Sequence, residues 1–209
     1  MNLAGLLAII QENEEFQSLE SKISEQPTIS AALIESARAP VLAALSERWQ
    51  QPIIILTPRA DRAKQLADEL TAWMREPHAF LFAEPDPLFY ERIAWSADTI
   101  SARLAALSAL AVTRAPIVVA TIRALMQKTA PPADLRAGVR ELKRGDTVEL
   151  SELLNALVAL GYESEVVIES PGTFSRRGGI LDVWSPIAAQ PVRIEFAGTD
   201  GKTTVLKDK

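Results

Sequence analysis

The chain has 209 residues, of which 48% are hydrophobic and 23% charged, an ordinary globular composition with enough apolar material for a core. Its net charge of −5 disfavours a general grip on nucleic acid, which needs an excess of Lys and Arg, while leaving room for a local basic patch. The absence of cysteine excludes disulfides, thiolate zinc sites and cysteine nucleophiles, and His78, the sole histidine, reads as a surface residue rather than part of a metal cluster or a Ser-His-Asp triad.

Leu3, Leu6, Leu7 and Ile10 recur at helical spacing, and Phe16, Leu19 and Ile23 predict a second short helix. The opening apolar run is too short to cross a bilayer, lacks a basic lead and is followed by Glu12, Glu14 and Glu15. It reads as a packing helix of a cytoplasmic protein with no membrane partner. Thr28 to Ile34 suggests a short strand. Ser36 is the expected N-cap of the next helix, with Pro40 in its first turn and Val41, Leu42, Leu45 and Trp49 as an apolar stripe. Pro52 to Thr57 is a continuous apolar run suited to a strand buried on both faces. A helix is expected from Arg59 to Arg75, with Ala63, Leu66, Leu70 and Trp73 inward, then a strand from Ala79 to Phe82. Glu84-Pro85-Asp86-Pro87 opens a long loop to about Ala97. Asp98 is the expected cap of a helix carrying Ile100, Leu104, Leu107 and Leu110, before a fully apolar strand, Pro116 to Ala120, and a short helix through Met126. This alternation predicts an α/β domain with a mostly parallel sheet and helices on both faces.

The pattern changes near Pro131-Pro132, which places domains at 1–130 and 131–209. Beyond the boundary the reading is a strand at Val139 to Leu142 and a helix from Ser151 to Leu160 ended by Gly161. Strands follow at Glu163 to Ile168, Gly179 to Trp184, Val192 to Phe196 and Thr203 to Leu206, with hairpin-turn chemistry at Thr199-Asp200-Gly201-Lys202. One helix with consecutive antiparallel strands is an α+β arrangement.

Catalytic chemistry is hard to find. A P-loop needs glycines, a lysine and a hydroxyl to hold phosphates and magnesium. The candidate segment, Ala32 to Ala39, has Ala32 and Ala37 at the glycine positions, Arg38 for the lysine and Ala39 for the magnesium ligand, with Glu35 adding negative charge. The carboxylate pairs Glu163/Glu165 and Asp68/Glu69 have no supporting context and read as solvated surface. Phe89, Tyr90 and Trp95 bracket Arg92, which fits a stacking surface or the packing of a long loop. Arg177 stands at a strand entrance beside Gly178 and Gly179, and Arg193 lies in the next strand, sharing a face with Glu195. Two arginines on one sheet face suit recognition of protein or phosphate; a solvated face with an Arg193/Glu195 pair is the plainer alternative.

Several segments, taken in order, resemble the N-terminal region of the transcription-repair coupling factor (Mfd) family. They are Glu15 to Leu19; Ser36-Ala37-Arg38-Ala39 with the strand ending Thr57-Pro58; and the stretch Phe82, Tyr90, Asp98, Ile100, Ser101, Arg103 and Leu104. Val118 to Gln127, Leu160-Gly161-Tyr162, Pro171-Gly172, Arg177 to Asp182 and Pro191 to Phe196 complete the set. The resemblance implies a degenerate P-loop NTPase-like domain akin to UvrB domain 1A, then a smaller domain akin to UvrB domain 2. UvrB itself, with an intact P-loop and a tyrosine-rich hairpin, fits less well. The resemblance further implies that the second domain docks on UvrA, recruiting excision repair to stalled RNA polymerase. This chain then needs no cofactor and catalyses nothing. ATP, magnesium, DNA and polymerase contacts fall to other domains of a longer parent, of which 209 residues are a fragment.

Two of the family's UvrA contacts carry over onto Arg177 and Arg193, with Glu195 helping to orient Arg193. A third position, usually aromatic, is Ala197 here, and Gly201 to Lys209 departs from the acidic pattern expected, which leaves the second domain divergent or incomplete. Two rivals stay open: a nucleotide hydrolase with an atypical loop, and a DNA-binding module using Arg176, Arg177 and Arg193.

Overall fold

The computed structural model describes residues 2–75, 79–85, 94–197 and 202–208, the last stretch as backbone. His78, Phe89, Tyr90, Arg92 and the expected turn at Thr199-Asp200-Gly201 lie outside the described residues. The chain divides into two compact units, Met1–Pro132 and Ala133–Lys209.

In the first unit a 3-10 turn, Ala4–Leu6, leads into α1 (Leu7–Gln11) and α2 (Glu14–Glu25). The Asn13 side chain caps α2 by accepting from the amides of Glu15 and Phe16, donors that a helix start otherwise leaves without partners. Then come α3 (Glu35–Trp49), β1 (Ile53–Thr57), α4 (Ala60–Trp73), β2 (Ala79–Phe82), α5 (Ala97–Val112), β3 (Ile117–Thr121) and the short α6 (Ile122–Leu125). The three strands are parallel in the order β1-β3-β2, as the alternation of strands and helices predicts. One sheet face packs Ile117 and Val119 against α1, α2, α3 and α4 through Leu7, Phe16, Ala43 and Leu70. The other packs Phe82, Val118 and Ala120 against Ala106 of α5.

Several local expectations are corrected. Thr28 to Ile34 forms no strand: it has no paired neighbour, and Leu33 and Ile34 are exposed, so no buried face holds it extended. Ser36 is not a cap, because α3 already begins at Glu35 after Ile34, which places Pro40 beyond the first turn. β1 is buried on one face only, for it is an edge strand that α5 does not cover, and Ile54 and Leu56 are 56% and 50% exposed. In α5 the inward line is Thr99, Arg103, Ala106 and Ala109, while Ile100 and Leu110 are exposed. Small residues let that helix approach a sheet face already filled by Phe80 and Phe82, and Ser96 rather than Asp98 provides the cap.

Arg103 is the unusual member of that packing. It is 4% exposed, with its guanidinium 3.9 Å from the ring centre of Phe82 and 5.0 Å from that of Trp95. Nη1 donates to the carbonyls of Ala83 at 2.7 Å and Ala124 at 3.4 Å, and Nη2 has no partner among the described residues. Burial lowers its pKa, because desolvation penalises the charged form.

The second unit opens with α7 (Pro132–Gly138) and β4 (Thr147–Glu149), and the strand expected at Val139 to Leu142 is absent. α8 (Leu150–Ala159) ends as predicted at Gly161, which has φ +88°. There the amides of Gly161 and Tyr162 return to the carbonyls of Val158 and Leu157, closing orphan acceptors of the last turn. Five strands follow: β5 (Glu163–Ser164), β6 (Thr173–Arg177), β7 (Ile180–Trp184), β8 (Val192–Ala197) and β9 (Lys202–Asp208). The sheet order is β4-β9-β8-β7-β6-β5, antiparallel throughout except for the β5/β6 pair, so the sheet is mixed. Leu150 and Leu157 of α8 pack on Phe174, Leu181, Ile194 and Phe196, which fixes one sheet face as the core side. Among the described residues no helix is long and apolar enough to cross a membrane.

Candidate functional site

Alternation along each strand then decides which side chains stand on the opposite, outer face. Phe174 is in the core, so Thr173, Ser175 and Arg177 of β6 point outward; Leu181 is in the core, so Ile180 and Asp182 of β7 do the same. In β8, Ile194 and Phe196 face the core, and Arg193, Glu195 and Ala197 face out. Register aligns Arg177 with Ile180 and Glu195 in one row, and Ser175 with Asp182 and Arg193 in the next. Arg177 and Arg193 therefore occupy one face, in adjacent rows. Arg176 alternates to the other side, where its Nε donates to the carbonyl of Gly178 at 3.2 Å.

Asp182 stands between the two arginines. Arg193 donates Nε to Oδ1 at 2.6 Å and Nη2 to Oδ2 at 2.8 Å. That two-pronged contact lowers the pKa of Asp182, reinforced by the charges of Arg193 and Arg177, and raises that of Arg193, reinforced by the charge of Asp182. Glu195, expected to orient Arg193, contributes only a weaker charge effect; the carboxylate that holds the guanidinium is Asp182. The ion pair is not internal, because the Arg193 side chain is 53% exposed.

The outer face is not left flat. The backbone after β5 bends at Val166 and Val167, and the Val166 carbonyl accepts from Ser175 Oγ at 3.0 Å and Arg177 Nη2 at 2.8 Å. Thr173 Oγ1 donates to the carbonyl of Ser170 at 2.6 Å. The segment between β5 and β6 thus folds over the outer face, which explains why polar Thr173 and Ser175 are buried.

A family model, the UvrB interaction domain, matches residues 141–201, a span containing Arg177, Asp182, Arg193 and Glu195. The chain is similar to transcription-repair-coupling factors of Bacillus subtilis strain 168, with 29% identity over 94% of this chain, and of Myxococcus xanthus, with 33% identity over 78%. That of Staphylococcus haemolyticus is 28% identical over 91% of the chain. The chain belongs to the transcription-repair-coupling-factor family. It spans 17%, 14% and 16% of the length of those three relatives.

The segment where the transcription-repair-coupling-factor resemblance places a decayed nucleotide loop does not have a P-loop's setting. No strand precedes it, Ala37, Arg38 and Ala39 are already helical in α3, and Arg38 is exposed. Beside it lies a cavity of about 600 Å³ lined in part by Glu35, Ser36, Ala39, Gln65, Glu69 and Trp73. Glu35 is ion-paired with Arg62. Two carboxylates in the lining make it unfavourable for a polyphosphate.

Sequence reasoning put Arg177 and Arg193 on one face and missed the parts that hold them. Asp182 was legible in principle, since alternation sends it outward, yet its pairing needs the β7/β8 register. Ser175 and Val166 were not, because β6 was not foreseen as a strand.

Proposed function

We propose that this chain is a non-catalytic adaptor within a cytoplasmic transcription-repair coupling factor, and that its second unit docks on UvrA through Arg177 and Arg193. The observation that carries this reading is the placement of both guanidinium groups around Asp182 on one exposed sheet face, inside the span matched by the UvrB interaction domain. A planar guanidinium anchored by one carboxylate still offers N–H donors to a second, which suits a partner bearing carboxylates. Glu195 and Ala197 lie on the same face and border the contact. Recruitment of UvrA then delivers excision repair to stalled RNA polymerase. Polymerase, DNA, ATP and magnesium are handled by other parts of the longer protein, and the first unit is a P-loop NTPase-like domain whose nucleotide loop has been replaced by the start of α3.

The test is capture of purified UvrA by this chain. Truncating a central interfacial arginine typically costs about 2 kcal/mol or more. The double variant Arg177→Glu/Arg193→Glu is expected to abolish capture while circular dichroism stays unchanged. Undiminished capture by a folded double variant defeats the assignment.

A further inference from the structure

Outside the arginine pair, the second unit exposes two adjacent β-branched apolar side chains, Val166 at 78% and Val167 at 58%. Scattered exposed apolar residues are ordinary, and a lone valine on a loop signifies nothing. These two differ in how they are held. Ser175 points to the outer face of the sheet and binds the Val166 carbonyl, so the bend is tied to that face where the chain leaves the edge strand β5. The same carbonyl accepts from Arg177 Nη2, so the apolar bend and the first arginine are clasped to one another. Ile168, the next residue, is half-buried. Two residues with little side-chain freedom are thus fixed in solvent beside a cation on the face where docking is proposed.

We infer that Val166 and Val167 form the apolar ledge of the docking surface, and that the partner meets it with an apolar side chain next to a carboxylate that reaches Arg177. The inference rests on the reading that this face docks UvrA, and it supplies what the outward Ala197 lacks. An alanine gives little apolar area to a contact, whereas the bend presents two branched side chains on the opposite flank of Arg177, with Ile180, 36% exposed, across the strand pair. Charge limits the partner further. Glu165 and Glu169 flank the valines and are exposed, so a uniformly acidic surface is repelled there. The complementary surface carries its negative charge over Arg177 and Arg193 and is uncharged over the bend. Arg177 then has two duties, seating the ledge with one Nη and leaving its remaining donors for the partner.

The experiment measures affinity for purified UvrA, by titration calorimetry at low and high salt, of the wild-type chain, Val166→Ser/Val167→Ser, and Arg177→Glu/Arg193→Glu. The serine variant is expected to bind roughly tenfold more weakly, by a factor that does not change with salt, since burial of apolar surface is not screened. The arginine variant's deficit should shrink as salt rises. Thermal unfolding of the serine variant should match the wild type, because both valines are exposed. Wild-type binding with no loss in the serine variant overturns the ledge and leaves the docking reading intact. A loss that vanishes at high salt also overturns it, as does a lowered unfolding midpoint that accounts for the deficit. No binding by the wild type overturns both.

Discussion

Asp182 holds Arg193 by both of its carboxylate oxygens, at 2.6 and 2.8 Å, across the β7/β8 strand pair. The contact uses two of the five N–H donors of the guanidinium and fixes the plane of the rest. Asp182 is thereby a positioning residue for the proposed docking face. Asp182→Asn keeps the shape and removes the charge, so capture of UvrA is expected to weaken by roughly three- to tenfold, a little over 1 kcal/mol at most. Arg193→Lys should not substitute, since an ammonium cannot reproduce the fork. Equal affinity of the Asp182→Asn variant and the wild type would show that the pair is idle.

The same pair sets a pH dependence whose sign is fixed. The pKa of Asp182 is lowered in the folded chain, chiefly by the hydrogen bonds from Arg193, so its contribution is present above the unfolded carboxylate range, near about 3.9. It is lost as pH falls through the lower folded value. The stability gap between wild type and Asp182→Asn, followed by urea unfolding, should stay constant from about pH 8 down to about pH 5 and close only in more acid solution. A gap that closes near neutrality would point to a different titrating group.

Gly179 is a point of close approach. Its amide carbonyl accepts from Phe196 N at 2.8 Å, and a Cβ built on it would stand 2.7 Å from the Phe196 carbonyl oxygen. Because the obstacle is backbone, relief requires β8 to shift. Gly179→Ala is expected to destabilise the second unit by about 2 kcal/mol and lower its thermal midpoint by roughly 10 °C, read by circular dichroism. Gly5→Ala, with open space at the Cβ, is the control and should change little.

Arg103 joins the residue after β2 to the short α6 by its bonds to Ala83 and Ala124 while it lies against Phe82 and Trp95. Arg103→Ala leaves two carbonyls without this donor and a cavity beside both rings, a loss of about 3 kcal/mol in urea unfolding. Arg103→Lys should recover only part, for one ammonium cannot stack as the planar group does. Wild-type stability of Arg103→Ala would overturn this account.

Titration calorimetry with ATP and magnesium should give no binding heat. Glu35 and Glu69 line the cavity beside the start of α3, and Ala37 and Ala39 offer neither glycine freedom nor a magnesium ligand. Measurable binding would revive a nucleotide role for the first unit.

The first unit's parallel sheet was legible because Ile117 to Ala120 and Ile53 to Leu56 are continuous apolar runs separated by strongly periodic helices. What failed there was orientation. α5 turns its alanines inward and leaves Ile100 and Leu110 outside, since the packing partner, Phe82, decides how much bulk the helix can bring. In the second unit the strand at Thr173 to Arg177 was hidden by its own composition, two hydroxyl residues and two arginines around a single phenylalanine. Its outward hydroxyls are buried under the bent segment that precedes the strand, which period-two alternation does not announce. The arginine face was readable from period-two alternation, and its carboxylate partner was not, because register between strands is set by tertiary contacts.

Among the described residues β1 has one unpaired edge, and it turns Ile54 and Leu56 toward solvent on the face that α5 leaves bare. Strand borders of this kind template pairing with other chains unless charge or cover intervenes. Handled at high concentration, the isolated 209-residue polypeptide is therefore prone to stick to itself through its first unit, and a lysine introduced at position 54 is the smallest change that should keep it dispersed.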